Sequence, residues 1–228
     1  MQRSGGRRWG SALTWAGLLG AAMVLSGFER ARAGAVEGRT FRVLVDQKPA
    51  GSYHMTISSQ DDGTYVVTGQ ADIRVTVLRI TAYHYSYNGT EVWKDGRLIR
   101  LNSTTDDDGQ RFAVSAVAEG EGLRVRVNGQ ERLAPGEVWT TSCWRLPAAK
   151  FRNAALVLLD ADTARELHGN LMYVGTDRVN VAGQAQDCAH YRVTGDTQLE
   201  LWFDGGERLV RQESVEQGHR TVLEMVGR

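Results

Sequence analysis

Leu123-Arg124-Val125-Arg126-Val127-Asn128-Gly129 places an apolar side chain at every second position and closes on a dipeptide suited to a tight reversal. A period of two puts alternate side chains on opposite faces of a strand, so this stretch is a half-buried strand. Asn-Gly accepts the positive backbone angles of a two-residue hairpin, so the next strand returns antiparallel. The pattern recurs on both sides. Phe41, Val43 and Val45 alternate with Arg42, Leu44 and Asp46, and Leu199, Leu201 and Phe203 alternate with Glu200, Trp202 and Asp204. Turn chemistry separates the runs at Lys48-Pro49-Ala50-Gly51, Asp61-Asp62-Gly63, Asp95-Gly96, Asp107-Asp108-Gly109, Glu121-Gly122 and Asp204-Gly205-Gly206.

Strands are therefore expected over 39–46, 52–59, 64–80, 82–94, 97–105, 110–118, 122–127, 171–181, 189–194, 197–203, 207–215 and 220–226. In the third run Ile73, Val75 and Val77 share a face while Leu78 and Ile80 change parity, which predicts a bulge or sharp bend near Val77. Only residues 147–168 break the rhythm. Pro147 opens a segment suited to one short helix, and the apolar run 154–159 fits either a helix or a buried strand. The expected fold class is all-β: a single-domain antiparallel curved sheet over residues 34–228, a half-barrel or sandwich-like meander, with at most one short helix.

Residues 1–33 have the plan of an export signal. Arg3, Arg7 and Arg8 precede an uncharged run from Trp9, and Ala31-Arg32-Ala33 supplies a small-x-small cleavage site. Phe28 stands where a lipoprotein signal needs its acylated Cys, so no lipid anchor of that kind is expected. The expected location is the periplasm, and the segment anchors the chain in a membrane only if it stays uncleaved. The whole chain has a formal net charge of +0. Losing five signal arginines and Glu29 leaves a mildly acidic remainder, which argues against nucleic acid as a partner and against a basic lipid-binding patch. Lys48, Lys94 and Lys150 are the lysines among 27 basic residues, a bias read as codon composition rather than phosphate recognition.

Export into an oxidising compartment makes a disulfide between Cys143 and Cys188 the expected state, with two buried thiols as the alternative. His54, His84, His168, His190 and His219 have no ligand-like short spacing, and no G-x-S-x-G is present. Asp106-Asp107-Asp108-Gly109 reads as a solvated hairpin turn rather than a calcium loop. Asp160-Ala161-Asp162 alternates suitably but lacks the distant glutamate that completes such a loop. No metal site, cofactor or catalytic residue is expected.

Tyr83-His84-Tyr85, the run Glu91-Val92-Trp93-Lys94-Asp95-Gly96-Arg97-Leu98, residues 104–109, Gly195-Asp196 and Leu201-Trp202-Phe203-Asp204 together resemble an uncharacterised domain-of-unknown-function family of bacterial exported β-proteins. The likeness spans about residues 38–226, and the family has no assigned reaction to carry over. It is more distantly similar to curved-sheet lipoprotein carriers, which implies a hydrophobic cavity inside the sheet. Asn88-Gly89 departs from the family pattern, since it stands where a continuous strand is expected.

Tyr83, Tyr85, Tyr87, Glu91 and Trp93 share one strand face by parity. The stripe is expected either to line a ligand cavity, with Glu91 near its mouth as polar anchor, or to fill a packed core with Glu91 paired to Arg97 or another arginine. The expected function is an exported, non-enzymatic domain binding an apolar or lipid-like molecule. The alternatives are a structural or assembly partner of an envelope protein, and a hydrolase with an unrecognised site.

Overall fold

Alternating runs this long cannot be buried as separate hairpins, and they assemble into one sheet. The computed structural model describes residues 34–78, 80–216 and 218–227, and the export segment assigned to residues 1–33 lies outside them. The strands are β1 (Val36–Val45), β2 (Lys48–Ser59), β3 (Thr64–Val77), β4 (Ile80–Lys94), β5 (Arg97–Asp107), β6 (Gln110–Glu119), β7 (Gly122–Val127), β8 (Gln130–Pro135), β9 (Trp139–Thr140), β10 (Ala154–Leu159), β11 (Glu166–Val181), β12 (Gln184–Gly195), β13 (Leu199–Phe203), β14 (Leu209–Glu216) and β15 (His219–Gly227). They form one 15-stranded open curved sheet, ordered β8-β7-β6-β5-β4-β3-β2-β1-β15-β14-β13-β12-β11-β10-β9. Each pairing is antiparallel except that of β10 with β9. The terminal strands β1 and β15 pair at the centre, Phe41 opposite Met225, so the chain's two halves run outward from one seam. On the opposite side Arg132 of β8 donates to Ala164 O and to Glu166, bringing the β8 edge to the turn before β11.

The bend expected near Val77 resolves into two features. The β3–β4 register shifts between Val75 and Thr76, and the chain then reverses at Leu78, whose φ is +51°, so β4 begins earlier than parity suggested. Asn88-Gly89 makes no turn. Gly89 sits in mid-strand opposite Gly69 and Ser103, and a Cβ there would lie 2.0 Å from the Tyr87 hydroxyl oxygen. The glycine is what lets the tyrosine ring lie flat along its own strand. Among the described residues the single short helix is a 3₁₀ turn at Ala149–Phe151, and the apolar run after it is strand β10.

The interruption foreseen in the rhythm is a plug. It is wider than the expected 147–168: residues 136–165 carry the edge strands β9 and β10, and the loops around them pack against inner side chains of the sheet. Arg39 of β1, 3% exposed, donates to Trp144 O at 2.5 Å and holds Glu37 at 2.7 Å. Trp144 packs on Tyr65 and Trp93 with ring centroids 5.3 and 6.3 Å apart, and Trp139 packs on Phe203. Farther along, Ser103 of β5 donates to Ala161 O at 2.5 Å. These contacts span opposite arms of the sheet, so the segment ties them together as well as filling the space.

The expected disulfide is not formed: Cys143 and Cys188 are both buried thiols. Cys143 lies in the plug just after β9, its Sγ 3.6 Å from Thr140 O, whereas Cys188 lies within β12, 3.7 Å from Gln186 O. Each sulfur is turned to a local carbonyl rather than to the other. Burial, with the nearby Glu91 carboxyl, pushes the Cys143 thiol well above its usual range and suppresses the reactive thiolate. Iodoacetamide is therefore expected to label Cys143 only after the protein is unfolded. Protein made without reductant that shows no labelling even in denaturant contradicts this arrangement.

Candidate functional site

Along β4 the inward positions are Tyr83, Tyr85, Tyr87, Gly89, Glu91 and Trp93, and they descend from a half-buried rim into the packed floor. The stripe is therefore split. Its upper part faces an open cavity of about 870 Å³, whereas Glu91 and Trp93 are absent from the lining and are 2% and 5% exposed. The Trp93 indole donates to Glu91 Oε2 at 2.7 Å and the Thr140 hydroxyl donates to the same oxygen at 2.9 Å. Burial pushes the Glu91 carboxyl up, while donors from Trp93, Ser142 and Thr140 pull the other way. Glu91 is thus a hydrogen-bonded part of the floor, with no arginine partner among the described residues. The upper tyrosines line a cavity, whereas Glu91 and Trp93 pack in the core below it, so Glu91 is neither near the mouth nor paired to Arg97 as expected.

The cavity has unlike walls. One side presents Tyr53, Tyr83, Tyr85 and Tyr87 with Ile73 and Phe112; the other presents Val43, Leu199, Val215 and Leu223, and the plug adds Thr141, Ser142 and residues 160–163 to the lining. Polar groups gather at the mouth. The Tyr83 hydroxyl donates to Asp107 Oδ1 and the Tyr85 hydroxyl to Asp162 Oδ2, each at 2.7 Å. Asp160, two residues before Asp162, accepts from the Thr163 hydroxyl at 2.6 Å and from the Asp162 N–H at 3.2 Å. Glu216 completes the group, and Arg165 is the one lysine or arginine among the described lining residues.

Crowding of like charge shows in the protonation of these groups. Burial and then the negative Asp160 push the Asp162 carboxyl up to about 7, overcoming the opposing hydrogen bond from Tyr85. Burial, Asp160 and Asp107 likewise push Glu216 up, against Arg165. The tyrosine phenols are pushed up by burial and by these carboxyls, so they remain neutral donors.

Sequence reasoning located Tyr83 and Tyr85 on the cavity wall and passed over its acids. Asp106, Asp107 and Asp108 end a hairpin as expected, with Asp106 accepting from the Gly109 N–H at 2.8 Å. Asp107, however, turns inward, and the alternation Ser103, Thr105, Asp107 on β5 carried that signal. The histidines are scattered: His54 contacts Thr40 and Ser52, His219 contacts Asp46, and His190 stacks on Trp202 between Asp177 and Glu200. Among the described residues no three His, Cys, Asp or Glu side chains are grouped to hold a metal ion.

A family described as a domain of unknown function, DUF6134, matches residues 41–226. The fold is similar to the crystal structure of a β-barrel-like protein of domain of unknown function DUF1849 from Brucella abortus. That likeness has a TM-score of 0.60 at 11% identity, covering 86% of this chain and 97% of the other. No curated protein matches the sequence.

Proposed function

For a chain that belongs to the DUF6134 family of domains of unknown function, we propose a non-catalytic role: an exported, periplasmic domain that holds one small amphipathic molecule in the concavity of its sheet. The cavity carries this reading. Its volume of about 870 Å³ falls in the range of small-molecule sites, roughly 300–1,000 Å³, and like them it joins apolar walls to a few convergent polar groups. The described lining includes serines and threonines but no histidine or cysteine, so a nucleophile there lacks the usual imidazole base. A second reading, contact with another envelope protein, rests on Met172, Tyr173 and Val174. These consecutive exposed apolar residues of β11 stand where its register with β12 shifts.

Filling the cavity tests the first reading. Ala71 lines it opposite Tyr53 and Tyr87 in the neighbouring strands, and Ala71→Phe adds a ring to open space. The neutral fluorescent probe N-phenyl-1-naphthylamine is expected to bind the wild-type domain and to lose at least tenfold in affinity in the variant. Ala71 packs at the edge of the core, so stability should fall by no more than about 1–3 kcal/mol, the range for a small-to-large change. A probe that ignores the wild-type protein, or binds both forms alike, refutes the cavity as the binding site.

A further inference from the structure

We propose that the cavity selects amphiphiles whose polar end is cationic, a protonated amine or quaternary ammonium seated among Asp107, Asp162 and Glu216 beneath Tyr83 and Tyr85. The proposal rests on the binding role above and adds the class of ligand. Three observations carry it. First, the charge is one-sided: five carboxyl groups, those of Asp107, Asp160, Asp162, Asp196 and Glu216, line the cavity with Arg165, and no Lys, Arg or His forms an ion pair with Asp107, Asp160, Asp162 or Glu216 among the described residues. Second, Thr105, 4% exposed, lines the same cavity, and its buried hydroxyl oxygen has no hydrogen-bond partner. A buried polar atom without a partner costs stability, and a hydroxyl oxygen supplies the neutral acceptor that an ammonium N–H needs beside its carboxylates. Third, the tyrosine rings add electron-rich faces that attract a cation within about 6 Å of their centroids.

The phenol hydroxyls set the polarity of the site. Those of Tyr83 and Tyr85 already donate to carboxyl oxygens, so the site presents acceptors, and an anionic head group would face five carboxyls with a single guanidinium to answer them. An inorganic cation fits less well, because among the described residues no three acids are grouped closely enough to ligate one ion.

Three probes of equal chain length, decylammonium, decanoate and decanol, separate this proposal from the reading it rests on. Titrated below their micellar concentrations at pH 8 and low ionic strength, decylammonium is expected to bind at least tenfold more tightly than either other probe, with the gap narrowing as salt is added. The double variant Asp107→Asn, Asp162→Asn should shrink the preference to about threefold or less while leaving decanol binding in place. Thr105→Val should weaken decylammonium alone. Equal binding of all three probes, or tighter decanoate, overturns the cationic selectivity and leaves the cavity reading standing. Failure of all three to bind overturns both. Calcium that displaces decylammonium at millimolar concentration overturns the proposal in favour of a metal site. The comparison of probes on wild-type protein decides the matter even if a variant fails to fold.

Discussion

Replacing Trp93 with alanine is expected to lower the folding stability of the domain by about 3–5 kcal/mol, the range for removing a large aromatic side chain from a packed interior. Trp93 is 5% exposed and its ring lies against Trp144 of the plug, so truncation leaves a void between the sheet and the segment that closes its end. The loss extends beyond volume. The indole N–H donates to Glu91 at 2.7 Å, and its removal leaves a buried carboxyl dependent on the Thr140 and Ser142 hydroxyls. Trp93→Phe separates the two effects: it keeps most of the packing, loses the donor, and should cost about 1–3 kcal/mol. Urea unfolding at pH 7 measures both. A loss under about 1 kcal/mol for Trp93→Ala would mean that the floor is not the rigid base of the cavity.

Asp162→Asn is expected to act in the opposite direction. The folded-state pKa of Asp162, about 7, lies above the ordinary carboxylate value, so between about pH 4 and pH 7 the unfolded chain has released this proton while the folded chain keeps it. Stability contributed by this group therefore falls as pH rises through that window and stays low above it. Roughly three pKa units correspond to an upper limit near 4 kcal/mol, and contact with solvent at the mouth reduces this to about 2–4 kcal/mol. Asparagine keeps a carbonyl acceptor for the Tyr85 hydroxyl without the charge. The variant should match wild type near pH 4 and exceed it by that margin at pH 8. A variant less stable than wild type at pH 8 would show that the carboxylate is stabilising where it stands. An acid that opposes folding where it stands is the thermodynamic counterpart of the proposed ammonium site, because a bound cation offsets that cost.

Most strands, their antiparallel order and the inward face of β4 were legible because a half-buried strand writes its geometry directly into the sequence with period two, whereas β8, β9 and β10 were not read as strands. Tyr83 and Tyr85 on the cavity wall follow from that parity. The depth at which the cavity ends did not, since Glu91 and Trp93 continue the same stripe without interruption. What converts them from wall to floor is Trp144 and Thr140, some fifty residues away and brought in by a segment with no strand rhythm. The plug itself was visible only as a gap, because an apolar run such as 154–159 carries no period that separates helix from buried strand. The acids were missed because Asp106-Asp107-Asp108-Gly109 has the composition of a solvated turn, and one residue of it, Asp107, turns inward to meet Tyr83. The cysteines were paired on the chemistry of the compartment, and the register places each sulfur beside a local carbonyl instead.

Native mass spectrometry of the domain taken from its own host tests the central claim most directly, that the cavity above the plug is a ligand site. The wild-type protein is predicted to carry one bound small molecule per chain, released on denaturation and absent from the Ala71→Phe variant. A mass equal to the bare polypeptide in both proteins, under conditions that preserve non-covalent complexes, would contradict it.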